Sequence, residues 1–452
     1  MGRRPRDADD RVRDVVIDSY ERVCHDGAFA SECLSTAFRR RQDLGSRARA
    51  TAGRRLYGMI HYSRKLDFAL ASAGAEFSRR TQSYAHYLAY RVLQKELTPD
   101  QARAALPAVN WAAVAGVDAA IAREASPQTR FALTCSLPDF LAEQLLAEYG
   151  DDAEALSLAL SAPAPLTLRA NTIKISRDEL LEQLSAADIR AQATRFAPHG
   201  LTFDPDTDLT ATAIRECRGA GLFEPQDEGS QLIAALASSG CGSGPRGETV
   251  VDFCAGAGGK TMALGASLNN RGQLWALSVG RSDYDELRRR AGRAELSNIH
   301  PLLISPPTFP RELNALRGRA ARVLVDAPCS GVGAFRRKPE ARLRLEADAL
   351  RRLPLEQLAI LRQAAPLCAP GGRLIYATCT VLAAENERVV EAFLKEKPEF
   401  TLLSARTVLQ GFMGAKNAAA VSGDDGQFLK LFPHRHGTDG FFAAVMQKEN
   451  RA

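Results

Sequence analysis

Two cysteines stand fifty positions apart, each just past an apolar run. Cys329 closes Val323-Leu324-Val325-Asp326-Ala327-Pro328-Cys329-Ser330-Gly331, and Cys379 closes Leu374-Ile375-Tyr376-Ala377-Thr378-Cys379-Thr380. An apolar run that stops at a small polar cluster is how a buried parallel strand delivers a reactive side chain to the carboxyl edge of its sheet. Two thiols delivered to one edge point to covalent chemistry with a separate release step. Neither belongs to a Cys-x-x-Cys, so the spacing argues against a metal site. Cys24, Cys33, Cys135, Cys217, Cys241 and Cys368 have no paired spacing and read as small buried hydrophobes.

A third chemical element precedes them. Val251-Asp252-Phe253-Cys254-Ala255-Gly256-Ala257-Gly258-Gly259-Lys260-Thr261 reads as a strand, a glycine loop and the start of a helix. Glycines let the backbone approach a ligand closely, and the helix start offers unpaired N–H groups. A phosphate-binding P-loop would need glycine where Cys254 stands, and a dinucleotide fingerprint would need glycine where Thr261 stands. S-adenosylmethionine needs only a turn of small residues and a nearby acid, which Asp252 supplies. Cys254, Ala255, Gly256, Ala257, Gly258, Gly259 and Lys260 are then the candidate cradle.

The elements that must position these groups fall into three stretches. Residues 1–125 read as helical, with apolar spacing in Val15-Val16-Ile17, Tyr20 and Val23 and from Leu56 through Ile60 to Leu66 and Leu70. Residues 126–237 change character. A short helix runs from Leu137-Pro138 to a Gly150 cap, an alternating strand covers Leu166–Ile173, and a helix starts at Ser176 with Glu179 spaced as a capping box. The glycine-rich 238–245 segment reads as a linker or loop. Residues 238–452 then alternate strand and helix, with strands centred on 249–253, 273–277, 300–304, 322–325 and 373–377. Residues 384–397 form the last strong helix, and two closing strands lie within 427–447. That order specifies a Rossmann-like α/β domain, a doubly wound parallel sheet with an antiparallel end.

The chain has 452 residues, 45% of them hydrophobic and 25% charged, with a formal charge of +6, a mild excess that permits an anionic partner. Phe38-Arg39-Arg40-Arg41 with Arg47, Arg49, Arg54 and Arg55 is either a solvated face or a nucleic-acid contact. Arg336-Arg337-Lys338, directly after the Cys329 motif, favours nucleic acid. No apolar run is long enough to span a bilayer and no signal core opens the chain, so a cytoplasmic protein with reduced thiols is expected. Gly2 does not make a myristoylation site, because Arg6 stands where Ser or Thr is needed. His434 and His436, two apart with no third ligand, read as a polar turn; no metal is expected.

With these motifs in order, the chain resembles the RsmB-like (Sun/Fmu type) RNA cytosine-5 methyltransferases. The resemblance rests on Arg169-Ala170-Asn171-Thr172, Gln226–Gln231, the Cys254–Thr261 loop, and Asp326–Gly331 with Arg336-Arg337-Lys338-Pro339. It continues through Ala377–Thr380, Glu385-Asn386 and His434–Phe442. It implies an all-α NusB-like RNA-binding bundle, then a small ferredoxin-like α/β subdomain that orients the RNA, then the methyltransferase domain with S-adenosylmethionine. By the same resemblance Cys379 is the nucleophile that adds to cytosine C6 and Cys329 assists release. Asp326 holds the cytosine edge and also borders the cofactor, while Lys260 favours the thiolate. Arg169, Asn171, Arg336, Arg337 and Lys338 contact RNA. Thr378 and Thr380 orient the nucleophile.

Two positions depart from the family pattern. Ser278 and Ser305 stand where acids usually hold the cofactor's ribose and border its adenine. One charge-assisted hydrogen bond lost costs roughly 1.5–3 kcal/mol, about ten- to a hundredfold in affinity. Ser278 can still make a weaker bond, and Asp283 and Asp285, in the next helix, are the acids near enough in sequence to substitute, though spacing alone does not place either. The expected substrate is small-subunit ribosomal RNA and the expected state a monomer. The rivals are an RNA-binding assembly factor with little catalysis, a transfer-RNA cytosine-5 methyltransferase, and a DNA enzyme whose nucleophile would be Cys329.

Overall fold

The computed structural model describes residues 8–74, 77–204, 207–209, 211–241, 247–306 and 310–450. The chain forms two compact units, Met1–Pro163 with Ala334–Ala347, and Ala164–Gly333 with Asp348–Ala452.

The first unit is helical. Ala8–His25, Ala30–Arg40, Ser46–His61, Ser63–Ser72 and Arg79–Leu93 carry its apolar stripes, and Val16, Leu56, Met59, Ile60, Leu66, Tyr87 and Trp111 are buried together. Thr98 opens the helix Pro99–Ala105 with a full capping box: its hydroxyl accepts from Gln101 N–H at 3.2 Å and its own N–H donates to Gln101 Oε1 at 2.9 Å. The helical unit does not stop at residue 125. Pro127–Thr134, Asp139–Tyr149 and Ala153–Ala159 continue it and bury Leu133, Leu141, Leu145 and Leu156, a helical spacing that the turn residues around 126 and 138 disguise in the sequence. Residues 334–347 belong to this unit as well. Arg342, 2% exposed, donates to the carbonyl of His61 at 2.8 Å and to Ser161 Oγ at 2.9 Å. The basic stretch divides. Arg55 turns inward to Asp9 at 2.6 Å and Glu96 at 2.8 Å, and Arg49 donates to the carbonyl of Leu44, whereas Arg39, Arg40, Arg47 and Arg54 stay exposed.

The second unit holds two sheets. The small one orders β1 (Thr167–Ala170), β2 (Ala191–Ala193), β3 (Gly200–Phe203) and β4 (Phe223–Pro225) as β2-β3-β1-β4, all antiparallel. The helices Arg177–Ala186 and Thr212–Gly219 accompany it, and its core includes Leu168, Leu180, Leu184, Leu201 and Phe223.

The large sheet contains β5 (Thr249–Asp252), β6 (Gln273–Ser278), β7 (Ile299–Leu303), β8 (Ala320–Asp326), β9 (Cys368–Thr378), β10 (Phe400–Leu403), β11 (Leu429–Leu431) and β12 (Phe441–Lys448). Its order is β10-β12-β9-β8-β5-β6-β7, with β11 on β12. It is parallel from β9 to β7 and antiparallel around β12. That is the expected Rossmann-like sheet with an antiparallel end. Two elements differ from the sequence reading: β10, and a helix at Ala405–Val421 that comes after the one expected to be last. Gly414, at φ 76°, breaks this helix, and with Gly411 and a run of alanines it blurs the apolar period. Of the glycine-rich 238–245 segment, Ser238 ends the helix Glu228–Ser238, and positions 242–245 lie outside the described residues. Among the described residues no helix is long and apolar enough to cross a membrane.

Gly58 offers a test of the helical core. Glycine inside a helix is ordinarily improved by alanine, by about 1 kcal/mol. Here an added Cβ would stand 2.2–2.5 Å from the hydroxyl and ring of Tyr90, itself 5% exposed. Gly58→Ala is therefore expected to lower stability by roughly 1–3 kcal/mol in thermal or urea unfolding. A stabilised variant would show that this packing is looser than described.

Candidate active site

The register of two neighbouring strands brings the cysteines together. β8 and β9 run parallel with Asp326 opposite Ala377, and Ala327 N–H donates to the carbonyl of Ala377 at 2.9 Å. Both chains turn just beyond that level, and Cys329 Sγ stands 3.4 Å from Cys379 Sγ. The Cys329 thiol is pushed well above its usual range, first by its hydrogen bond to Cys379 and then by burial. Two sulfurs this close cannot both carry charge, so the site holds at most one thiolate at a time.

The turns are held by Thr378 and Thr380, as their places beside Cys379 suggest, and by Glu385, Gln357 and Asn386. Glu385, fully buried, accepts from Ser330 N–H at 2.8 Å and from Gln357 Nε2 at 2.8 Å; Gln357 Nε2 also donates to the carbonyl of Pro328 at 3.0 Å. The Tyr376 hydroxyl donates to the carbonyl of Glu385 at 2.6 Å. Thr378 donates to Asn386 Oδ1 at 2.6 Å, and Asn386 Nδ2 donates to the carbonyl of Thr380 at 3.1 Å. Thr380 Oγ1 meets Ser330 Oγ at 2.9 Å, which ties the two cysteine loops together. The signal for Gln357 was a polar residue on the buried face that Leu358, Leu361 and Ala364 share in the helix Ala349–Ala364. Gly333 joins the same assembly. Its N–H donates to the carbonyl of Cys379 at 3.0 Å and its carbonyl accepts from Gly440 N–H at 2.8 Å; a Cβ at 333 would stand 2.2 Å from the Gly440 oxygen. His436 steadies the neighbouring turn, accepting from Phe432 N–H at 2.8 Å and donating to the carbonyl of Ala420 at 2.9 Å.

Beside the thiols, Lys260 Nζ pairs with Asp326 Oδ2 at 2.6 Å and lies 5.4 Å from the centre of the Phe441 ring. Burial pulls the Lys260 ammonium down, but Asp326 and the charge on Cys379 raise it further, so it stays protonated. Lys260 opens the helix Gly259–Ser267, and the loop before it has Gly256 at φ 51° and Gly258 at φ 85°. A Cβ built on Gly256 or Gly259 meets nothing within 4 Å, so the backbone faces open space at the helix start. That cradle fits a ligand approaching the glycines closely, as S-adenosylmethionine would need. Asp252 lies beneath the loop, 1% exposed; its Oδ2 accepts from Thr261 Oγ1 at 2.7 Å, while Oδ1 has no hydrogen-bond partner. Burial pushes this carboxyl up to about 7. Cys254 is half-buried, and its thiol is also raised, chiefly by burial.

Ser278 does not stand open as a weakened ligand. Its hydroxyl donates to the carbonyl of Gly256 at 2.9 Å and so braces the loop. Ser305 is exposed just beyond β7, and Pro307 lies outside the described residues. Asp285 pairs with Arg281 at 3.0 Å; the Asp283 carboxylate lies against Gly280, within 3.4 Å of the place a Cβ would take.

Three of the five expected RNA contacts serve the fold. Arg169, 5% exposed, donates from Nε to Gln226 Oε1 at 2.8 Å and from Nη1 to the carbonyl of Ala170. Asn171, 1% exposed, donates to the carbonyls of Gly221 at 3.0 Å and Ala294 at 2.9 Å. Arg336, 8% exposed, donates to the carbonyl of Pro163 at 2.9 Å. Buried guanidinium and amide groups must have fixed acceptors, and backbone carbonyls supply most of them here. Arg337 is half-buried and Lys338 exposed.

Comparison with known proteins gives a consistent result. The model of the family 16S rRNA methyltransferase RsmB/F matches residues 244–447, and that of the RsmF/B-like ferredoxin-like domain matches residues 137–210. The chain is 29% identical to a probable ribosomal RNA small subunit methyltransferase B of Bacillus subtilis, over 97% of this chain and 99% of that protein. It is 33% identical to the ribosomal RNA small subunit methyltransferase B of Xylella fastidiosa, over 69% of this chain and 68% of that protein. In fold it is similar to the crystal structure of PH0851, with a TM-score of 0.77 and 21% identity, covering 99% of this chain and 100% of that one.

Asp252 yields a pH dependence. A carboxyl whose folded pKa lies above its unfolded value binds its proton more tightly in the folded state. The stability it contributes is therefore complete below about pH 4 and is lost as the pH rises through about 7. Relative to Asp252→Asn, the ligand-free protein should lose stability on the order of a few kcal/mol between about pH 4 and 8. Urea unfolding at several pH values measures this, and parallel stability curves for the two proteins would refute it.

Proposed function

The chain belongs to the RsmB/F family of 16S rRNA methyltransferases, and on that premise we propose that it methylates C5 of a cytosine in small-subunit ribosomal RNA through a Cys379–C6 adduct. The observation that carries this reading is the pair of thiols 3.4 Å apart beside the Lys260–Asp326 ion pair. Aromatic C5 is a poor nucleophile. Addition of the Cys379 thiolate to C6 moves the C5–C6 π electrons onto C5, which then accepts a methyl group. S-adenosylmethionine supplies that methyl as an electrophile. Loss of the C5 proton to a neighbouring base re-forms the C5–C6 double bond, the Sγ–C6 bonding pair returns to the Cys379 sulfur, and the aromatic ring and the free enzyme are restored.

Each nearby group has a matching task. Lys260 sets a fixed positive charge beside the Cys379 thiolate and, through its ion pair, orients Asp326. Asp326 hydrogen-bonds the cytosine edge and helps neutralise N3 as the adduct forms. Cys329, 3.4 Å from Cys379, serves release of the methylated base: once Cys379 is bound to C6, the Cys329 sulfur is the neighbouring group that can take the C5 proton. The target base must leave its stack to reach this site, at a cost of a few kcal/mol that single-stranded or bulged RNA keeps lowest. Exposed Arg39, Arg40, Arg47 and Arg54 on the helical unit, with Lys338, supply phosphate contacts that tolerate any sequence.

Two substitutions test the division of labour. Cys379→Ala should reduce methyl transfer by about a thousandfold or more and form no adduct. Cys329→Ala should accumulate an RNA–protein adduct that survives denaturing electrophoresis. Substantial methylation by Cys379→Ala would reverse the assigned roles. Transfer from radiolabelled S-adenosylmethionine to small-subunit RNA but not transfer RNA fixes the substrate, and the opposite pattern would move the activity to transfer RNA.

A further inference from the structure

The cofactor cradle is braced from outside the large sheet. Glu224 lies in β4 of the small sheet, 2% exposed, and its carboxylate meets two arginines of the helix Arg281–Arg293. Arg290 reaches Oε2 through Nε at 3.1 Å and through Nη2 at 3.0 Å, and Arg293 pairs with Oε1. Arg290 then donates from Nη1 to the carbonyl of Ala257, in the glycine loop, at 2.8 Å. The same helix presses Leu287 onto the loop, where a Cβ on Gly258 would come within 2.9 Å of Leu287 Cγ. Its far end is fastened to the small subdomain by Asn171, which donates to the carbonyl of Ala294 at 2.9 Å, and by Lys174, which donates to that of Arg293 at 3.0 Å.

The charges make Glu224 the keystone of this contact. Two guanidiniums share its single carboxylate, and Arg169 stands opposite it in the β1–β4 pair. Without the carboxylate three cations would face one another out of water, and repulsion would draw Arg290 away from Ala257. Two consecutive loop carbonyls would then differ: Gly256 would keep its bond from Ser278, and Ala257 would lose its own.

We infer that Glu224 is a positioning residue for the methyl-donor site: acting through Arg290, it fixes the Ala257 carbonyl, so that the small subdomain sets the affinity of the glycine loop for S-adenosylmethionine. This rests on the reading of residues 254–259 as the S-adenosylmethionine cradle. It assigns the segment around Arg169 and Asn171 the mechanical support of cofactor binding.

Calorimetric titration of the full chain with S-adenosylmethionine provides the test, with Glu224→Gln, Arg290→Lys and the double variant. Each single variant should weaken binding by about tenfold or more, with turnover at saturating donor and the KM for RNA within about twofold of wild type. The double variant should be no worse than Arg290→Lys alone, as expected of residues acting in series. Amide exchange of Gly256–Gly259 in the ligand-free protein should rise in Glu224→Gln. Should Glu224→Gln fold poorly, Glu224→Asp keeps the charge and should recover most of the affinity. A folded Glu224→Gln that binds like wild type, or a double variant whose losses simply add, would overturn the inference. Wild-type protein that bound no donor would instead overturn the cradle assignment beneath it, while the exchange measurement would still report on the mechanical link.

Discussion

Two parallel strands that end at the same height create this site. Because β8 and β9 pair Asp326 with Ala377, the residues two or three beyond that pair emerge side by side, and the thiols of Cys329 and Cys379 reach 3.4 Å. A slip of one residue would send every strand side chain to the opposite face. The packing beneath is correspondingly unambiguous: Val323, Val325, Leu374 and Tyr376 are fully buried in one cluster, Leu324, Ile375 and Ala377 in another.

That register places a demand on the turns. Each cysteine lies on irregular backbone next to buried residues, Ser330 on one turn and Thr378 and Thr380 on the other, and buried polar groups must be paired. Glu385 and Gln357 do this for the Cys329 turn, and Asn386 with Thr378 for the Cys379 turn. A buried carboxylate accepting two N–H donors is costly to remove, since its partners would be left unsatisfied. These residues therefore constrain the two sulfurs as effectively as direct contact would.

The buried charges obey the same logic across the second unit. Lys260 is paired with Asp326 at the reaction centre, and Glu224 with two arginines beneath the cofactor loop. In the helical unit, Arg342 has carbonyl and hydroxyl acceptors in place of a carboxylate. Burying a charge is tolerable only with such partners. Several arginines whose position in the sequence suggested phosphate contacts are thus committed to the protein itself. Sequence spacing cannot distinguish an arginine that faces water from one that caps a carbonyl, because the acceptor belongs to a distant segment.

The fold class, the order of the parallel strands' motifs, the glycine loop and the cysteine pair are all legible in the amino-acid sequence. Those signals are local: apolar runs with period two or none, small residues at a turn, a capping box at Ser176. The sequence did not determine where the helical unit ends, the helix at Ala405–Val421, or the grouping of residues 334–347 with the helical unit. Nor did it reveal Gln357 and Glu224 as parts of the site, or Ser278 as a brace for Gly256. These last three depend on partners 22 to 66 residues away. A hydrogen bond or ion pair between distant segments leaves no period in either one, and only the folded chain, by placing donor opposite acceptor, decides it.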